Sequence, residues 1–375
     1  MERRDAVLKG ISRAQKGIEI GPWFNPLASK AEGYQCLVLD VFDLATLRQR
    51  ATDIANVPDD IRDRIEEVDL LGSSTQIEEL VRSRGELGQF DYIVSSHNFE
   101  HLPDPIRFLQ GCAQALKPGG LISMAIPDKR SCFDYFRPVS TLGQWIEAYE
   151  CKREKPTSAQ YFDLYSCLGA FDNGNGKDIA FHRGVTPDRV SVGLALEKYY
   201  AEWLKQTRSG SVEYLDTHCS VFTPSSFELL IRDLGYLGLC SFEIVEVFDS
   251  PGVEFYGRLR KADSTPILHP SDYEAIRNKL LRRILEETAE SSSARSQSVE
   301  LIAQNTALKN EIEDLRQQNI AQNAALSAEV ERLRQRNIEL ERQSALKERE
   351  LFELRASTSW RLTSPLRRAV TALRK

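Results

Sequence analysis

FDYIVSSHNFEHLPDPIRFLQGCAQALKPGGLISMAIP, residues 90 to 127, is the stretch on which the fold turns. FDYIVSS (90–96) and GLISMAIP (120–127) are short apolar runs of strand length. Between them, Pro103 and Asp104 mark the entry of a helix. A strand, a crossover helix and a second strand make a βαβ unit, whose two strands must run parallel.

Upstream, the same rhythm places strands at GIEIG (17–21) and CLVLD (36–40), with a weaker one at RIEEVDLL (64–71). Downstream, residues 136–217 break it with a cluster of aromatics and a polar FDNGNGKD stretch, expected as a loop within an inserted, substrate-facing region. The pattern resumes at FTPSSFELLIRDLG, where Thr223 is a suitable N-cap, Pro224 suits the first helical position and Gly235 is expected to close the helix. CSFEIVEVF and VEFYGRLRK then read as a terminal antiparallel pair. The expected fold is α/β: a doubly wound, mostly parallel sheet with terminal antiparallel strands, followed by a long helical coiled coil. The boundaries are a cofactor-binding core at 1–135, the insertion at 136–217 and the end of the core at 218–262. A helical linker and Ser-rich hinge at 263–298, a coiled coil at 299–356 and a basic tail at 357–375 complete the chain.

The 375 residues carry a net charge of only −6, which supplies no global field for nucleic acid. The seven cysteines are odd in number, scattered and without a C-x-x-C pair, so neither a disulfide framework nor a thiolate zinc site is indicated. Neither a signal peptide nor a run of the roughly 20 apolar residues needed to cross a bilayer is evident. A cytoplasmic location is expected.

The first strand ends in Glu19-Ile20-Gly21 and the second in Asp40. A glycine at that turn lets a ligand approach the backbone, and a carboxylate about 20 residues later can accept ribose hydroxyls. Pro22, Trp23 and Phe24 follow Gly21, so a full G-x-G-x-x-G is absent, which argues against the diphosphates of NAD and FAD. An adenosyl cofactor built on methionine has no phosphate to cradle.

GIEIGPWFNPL, LVLD, the 90–130 segment and FTPSSFELL together resemble the class I S-adenosylmethionine-dependent methyltransferases, in a subgroup with an E-I-G-P first motif. The resemblance covers roughly residues 17 to 260 and is most specific at D-Y-I-V-x-S-H-x-x-E-H-x-x-D followed by L-K-P-G-G. It implies S-adenosylmethionine as methyl donor. Glu19 and Gly21 would lie beside its methionine portion, Asp40 on its ribose, Asp69 near its adenine, and Ser96 and His97 facing the methyl group. Trp23 and Phe24 stand where many relatives have small residues.

Transfer to a hydroxyl needs an in-line approach and a base, a role suited to histidine. His97 is the histidine placed at the crevice by motif, with His182, His218 and Asp128 as further candidates; packing is the competing role for each. His97, Glu100 and His101 also form H-x-x-E-H, a zinc-type spacing. No metal is expected there, because a metal needs both imidazoles on one face with a third ligand, and the first His sits at a strand end rather than inside a helix.

From Leu301 a heptad places Leu301, Leu308 and Leu315 at d, with Asn305, Ile312 and Asn319 at a, and after Leu326 it restarts across a stutter at Val330 and Leu333. Continuous helix from 301 to 354 would extend about 80 Å, and a parallel homodimer is expected. The tail STSWRLTSPLRRAVTALRK has no acidic residue after Glu353 and reads as a basic amphipathic element suited to an anionic membrane surface at the inner face. Its S-W-R-L-T-x-P-L-R run resembles tails of bacterial polysaccharide-assembly proteins, which implies a sugar or glycan acceptor and a glycosyltransferase partner. The rival expectation is a degenerate cofactor binder on a scaffold that recruits glycosyltransferases through residues 301–375. A glycosyltransferase itself is disfavoured, since no D-x-D ends a strand.

Overall fold

The computed structural model describes residues 3–54, 58–174, 176–193, 196–209, 216–262, 269–289 and 292–373. A short helix α1 (Arg3–Val7) precedes β1 (Lys16–Ile20) and β2 (Gln35–Asp40). Helices α2 (Leu44–Asp53) and α3 (Asp59–Arg62) lead to a two-residue β3 (Leu70–Leu71), then α4 (Ile77–Ser83). The 90–127 segment forms β4 (Phe90–Ser96), α5 (Pro105–Ala115) and β5 (Leu116–Pro127). Asp104 caps α5 by accepting from the Arg107 amide, with Pro105 in the first turn where no amide donor is needed.

The insertion holds α6 (Leu142–Glu150), α7 (Ser158–Ser166), the strands β6 (Gly169–Asp172), β7 (Lys177–Asp178) and β8 (Val190–Val192), and α8 (Leu196–Ser209). FDNGNGKD is not wholly a loop: Phe171 pairs with Asp178 and Asp172 with Lys177, so its ends are the arms of a hairpin. Helix α9 (Pro224–Tyr236), β9 (Phe242–Phe248) and β10 (Glu254–Lys261) finish the sheet. Thr223 caps α9 as expected, but Gly235 lies inside its last turn; Gly238, at φ +72°, takes the left-handed position that ends it.

The seven strands order as β3-β2-β1-β4-β5-β10-β9, and β10 runs antiparallel to both β5 and β9. Of the expected strand at 64–71, only Leu70 and Leu71 pair, with Leu39 and Asp40. Arg64, Glu66 and Glu67 offer no buried face to extend this edge. Strand β5 starts four residues earlier than its apolar run, and Lys117–Gly120 bulge between the Phe90–Leu116 and Tyr92–Leu121 pairs.

Ile18, Ile93, Ile122, Met124, Phe99, Phe108, Phe222 and Phe227 are among the fully buried residues of the main core. Trp145 of α6 packs edge-on against Phe99 at 5.7 Å, so the insertion contributes to that core. On the other face, Tyr92 lies over Gly17, where a Cβ would sit 2.0 Å from a ring carbon; only glycine permits this approach.

Helix α10 (Pro270–Ala289) packs on α9 through stacked Tyr236 and Tyr273 rings and through Tyr273 and Arg277, which both bond to buried Asp233. Residues 270–289 therefore extend the globular core, where a linker was expected. The chain divides into two units, Met1–Val299 and Glu300–Lys375. Helix α11 (Ser292–Ala356) is 65 residues long and takes in the Ser-rich stretch from Ser292 onward, expected as a hinge. Ile312, Leu315, Val330, Leu333 and Leu340 on it are exposed. Helices α12 (Thr358–Leu362) and α13 (Ser364–Leu373) form the tail, where Arg367 covers the Trp360 ring at 3.6 Å. Arg374 and Lys375 lie outside the described residues. Among the described residues, no helix is long and apolar enough to cross a membrane.

Candidate active site

In an open α/β sheet, ligands bind outside the carboxyl ends of the strands, where the strand order reverses. Here that point is β1 between β2 and β4. Gly21, just past β1, has φ +59°, and a Cβ built on it meets no atom within 4 Å. Trp23 and Phe24 turn aside to join Leu47, Ala51 and Ile65, and the Trp23 indole donates to the Leu47 carbonyl at 3.1 Å. Asp40 ends β2, largely buried, with one oxygen accepting from the Phe42 amide at 3.0 Å. Burial pushes its carboxyl up, against the Phe42 and Val41 amides. The open space at Gly21 and the carboxylate at the next strand end fit an adenosyl donor.

Glu19 plays a different part. Its buried carboxylate accepts from the amides of Leu27 (2.8 Å) and Ala28 (2.9 Å), folding the 21–28 loop back over β1. Burial raises it to about 7, the two amides opposing. Asp69 precedes β3 and accepts from the Val38 amide at 2.8 Å and Lys30 at 2.5 Å. The carboxyl end of β3 instead carries Ser73 and Ser74, and Ser74 bonds to Asn98 beyond β4 at 3.1 Å. Ser96 is the last residue of β4, half-buried.

His97 follows at φ +49°, rare for a residue with a side chain, its amide bonded to the Ala125 carbonyl of β5. Its Nε2 lies 2.7 Å from Glu254, the first residue of β10, and its Nδ1 3.5 Å from Glu100. Glu254 also accepts from Arg3 at 2.9 Å and Tyr256 at 2.9 Å. Burial pushes Glu254 up, yet His97 and Arg3 outweigh it and hold the carboxyl at about 2. Such a carboxylate orients the imidazole and stabilises it once protonated. The His97 side chain is 36% exposed, enough for an acceptor to reach it.

Asp128 directly follows Pro127, the strand partner of Glu254, at the same end of the sheet, whereas His182 lies in the insertion. Asp128 is fully buried and paired with Arg130 at 2.5 Å and Arg183 at 3.2 Å, and Arg183 also grips Asp249. This is a latch from the insertion to the sheet. His182 is exposed, with Nδ1 2.9 Å from its neighbour's carbonyl.

A second constellation adjoins His97. Glu100, 1% exposed, lies 3.7 Å from His101 Nε2 and 4.0 Å from His218 Nε2. His218 Nδ1 is 2.5 Å from Asp134, and His101 Nδ1 is 2.9 Å from Asp216. Asp134 is held low although burial opposes it, by His218 and by Arg137. Asp216 is lowered by His101; His101 is raised by Asp216 and Glu100 against burial. Arg3, Glu254, Asp134 and Asp216 have no local motif that marks them. Charged residues inside otherwise apolar strand and cap patterns were the available signal.

The family model described as a methyltransferase domain matches residues 16–240. The ubiquinone biosynthesis O-methyltransferase of Marinobacter nauticus is 46% identical over 46 residues, 12% of this chain and 19% of that protein. The enzyme of the same name from Xanthomonas campestris pv. campestris is 31% identical over 87 residues, 22% of this chain and 36% of its own. The matches thus span from about a fifth to just over a third of these relatives' lengths. The solved structure of an S-adenosylmethionine dependent methyltransferase from Mesorhizobium loti aligns at TM-score 0.34 and 14% identity, covering 68% of this chain and 97% of that one. The match to more than half of the chain decides the matter: this protein belongs to the methyltransferase-domain family, with residues 16–240 as its methyltransferase domain.

Proposed function

We propose that the protein methylates a hydroxyl group of a sugar or surface-polysaccharide precursor, with His97 as the base. The observation that carries the reading is the His97–Glu254 pair at 2.7 Å, set at the carboxyl end of β4 beside the Gly21 turn. When bound, S-adenosylmethionine supplies an electrophilic methyl group. Gly21 and Asp40 hold the donor's methionine and ribose parts, His97 receives the acceptor's hydroxyl proton, and Glu254 stabilises the imidazolium. Two relatives carry O-methyltransferase in their names, which supports oxygen as the methylated atom.

The glycan acceptor rests on the C-terminal tail and its resemblance. In this reading α11 pairs with a second copy through its exposed heptad leucines, and α13 lays Leu366, Val370 and Leu373 on an anionic membrane with Arg367 flanking them. A glycosyltransferase that supplies the acceptor is the expected partner.

Labelled methyl transfer to a panel of nucleotide-sugar and lipid-linked glycan acceptors tests the function. His97→Gln should lower kcat at least about 100-fold, the usual contribution of a positioned base, with donor affinity kept. Equal kcat in His97→Gln, or transfer confined to non-glycan acceptors, would refute the reading.

A further inference from the structure

The Glu100 carboxylate is almost wholly enclosed, and neither of its oxygens has a hydrogen-bond partner among the described residues. A buried carboxylate without such bonds is costly, so native proteins rarely leave one unless something else satisfies it. Three imidazoles face it, His97 through Nδ1 and His101 and His218 through Nε2. One ligand atom from each of Glu100, His101 and His218 can be chosen so that all lie within 4.8 Å of one another. A tetrahedral ion with bonds of about 2.1 Å spaces its ligands roughly 3.4 Å apart, close to the 3.7 and 4.0 Å separations of Glu100 from the two Nε2 atoms.

The outer contacts match as well. Each imidazole turns Nε2 toward Glu100; His218 Nδ1 is hydrogen-bonded to Asp134, while His101 Nδ1 lies 2.9 Å from the exposed Asp216 without hydrogen-bond geometry. The Asp134 bond fixes the His218 ring and makes its inner nitrogen a better ligand. Asp134 is itself held by Arg137 at 2.6 Å, and Arg137 donates to the His218 carbonyl at 2.9 Å. The Ser220 amide bonds to the Glu100 carbonyl at 3.0 Å, tying the two ligand-bearing segments together. Local spacing pointed to His97 as partner of His101; the fold supplies His218 from 117 residues beyond His101 in its place.

We propose that Glu100, His101 and His218 form a binding site for a first-row divalent cation of the zinc class, with Asp134 in its outer shell. Two nitrogens and one oxygen suit such an ion better than magnesium or calcium, which prefer all-oxygen shells. Three protein ligands leave a position open, and His97, 3.5 Å from Glu100, borders it. The proposal concerns binding alone and stands whether or not the acceptor is a glycan.

The test uses the full-length chain, freed of metal with a chelator and titrated with Zn2+ by calorimetry, with Co2+ as a spectroscopic probe. One ion per chain is expected, with ligand-field bands of nitrogen and oxygen donors and no thiolate charge-transfer band. Glu100→Gln and His218→Gln should each abolish binding, and Asp134→Asn should weaken it about 10- to 100-fold. His269→Ala, an exposed histidine remote in sequence, should bind as the parent does. Should the ligand variants not fold, ring-nitrogen NMR of the native chain decides: one equivalent of Zn2+ must shift two imidazoles. No binding, thiolate bands, fewer than two shifted imidazoles, or unchanged affinity in folded Glu100→Gln and His218→Gln would each overturn the site and leave a cluster held by protons alone.

Discussion

His97 Nε2 and Glu254 Oε2 meet at 2.7 Å although 157 residues separate them. The contact exists because β10 inserts antiparallel beside β5, which brings its first residue to the end of the sheet where β4 and β5 terminate. Arg3 joins the same carboxylate, so the N-terminal helix, the candidate base and the last strand share one anchor.

Glu254→Gln should therefore cost stability in a pH-dependent way. The carboxyl falls from an ordinary 4.5 to about 2 in the folded protein, so the unfolded chain binds the extra proton between these values. Stability from this group is fully present above pH 4.5 and is lost as pH falls through 2. The expected gap between parent and variant is on the order of 3 kcal/mol at pH 7. Urea unfolding from pH 7 downward should show the gap narrowing only below 4.5; a gap independent of pH would contradict the assignment.

Gly21→Ala separates binding from folding. The new methyl group meets no protein atom within 4 Å, so the folding cost is confined to the left-handed backbone, about 1–2 kcal/mol. Donor affinity should drop at least about tenfold, because the methyl group occupies the space a ligand would fill. Calorimetry with S-adenosylmethionine beside thermal melting checks both; unaltered affinity would move the donor away from this turn.

Asp128→Asn tests the latch between insertion and sheet. It leaves Arg130, almost fully buried, and Arg183 facing a neutral amide, a change expected to cost about 3–5 kcal/mol. Limited proteolysis should then cut the 180–190 segment faster than in the parent. An unchanged cleavage rate with unchanged melting would show that Asp249 alone holds Arg183.

Removal of residues 357–375 should abolish binding to anionic vesicles in flotation assays and leave donor affinity intact, since the tail belongs to a different unit from the methyltransferase domain. The loss should be reproduced by 1 M salt in the full chain if charge attracts the tail, because the screening length then shrinks to about 3 Å. Equal flotation of the truncated chain would reject the membrane reading.

What could be read without coordinates was whatever neighbouring residues decide among themselves. Apolar runs at 17–20, 36–40, 90–96 and 120–127, the Asp104-Pro105 and Thr223-Pro224 helix starts and the glycine after β1 follow from local sterics and burial periodicity, and they were enough for the sheet and its crevice. Helix α10 escaped because its charged composition resembles a linker until Asp233 appears opposite Tyr273 and Arg277. The partners of Glu100 and His97 escaped for the same reason on a larger scale. Which carboxylate faces which imidazole depends on strand order and on the path of an insertion, and those are settled only when distant segments bury their apolar faces together.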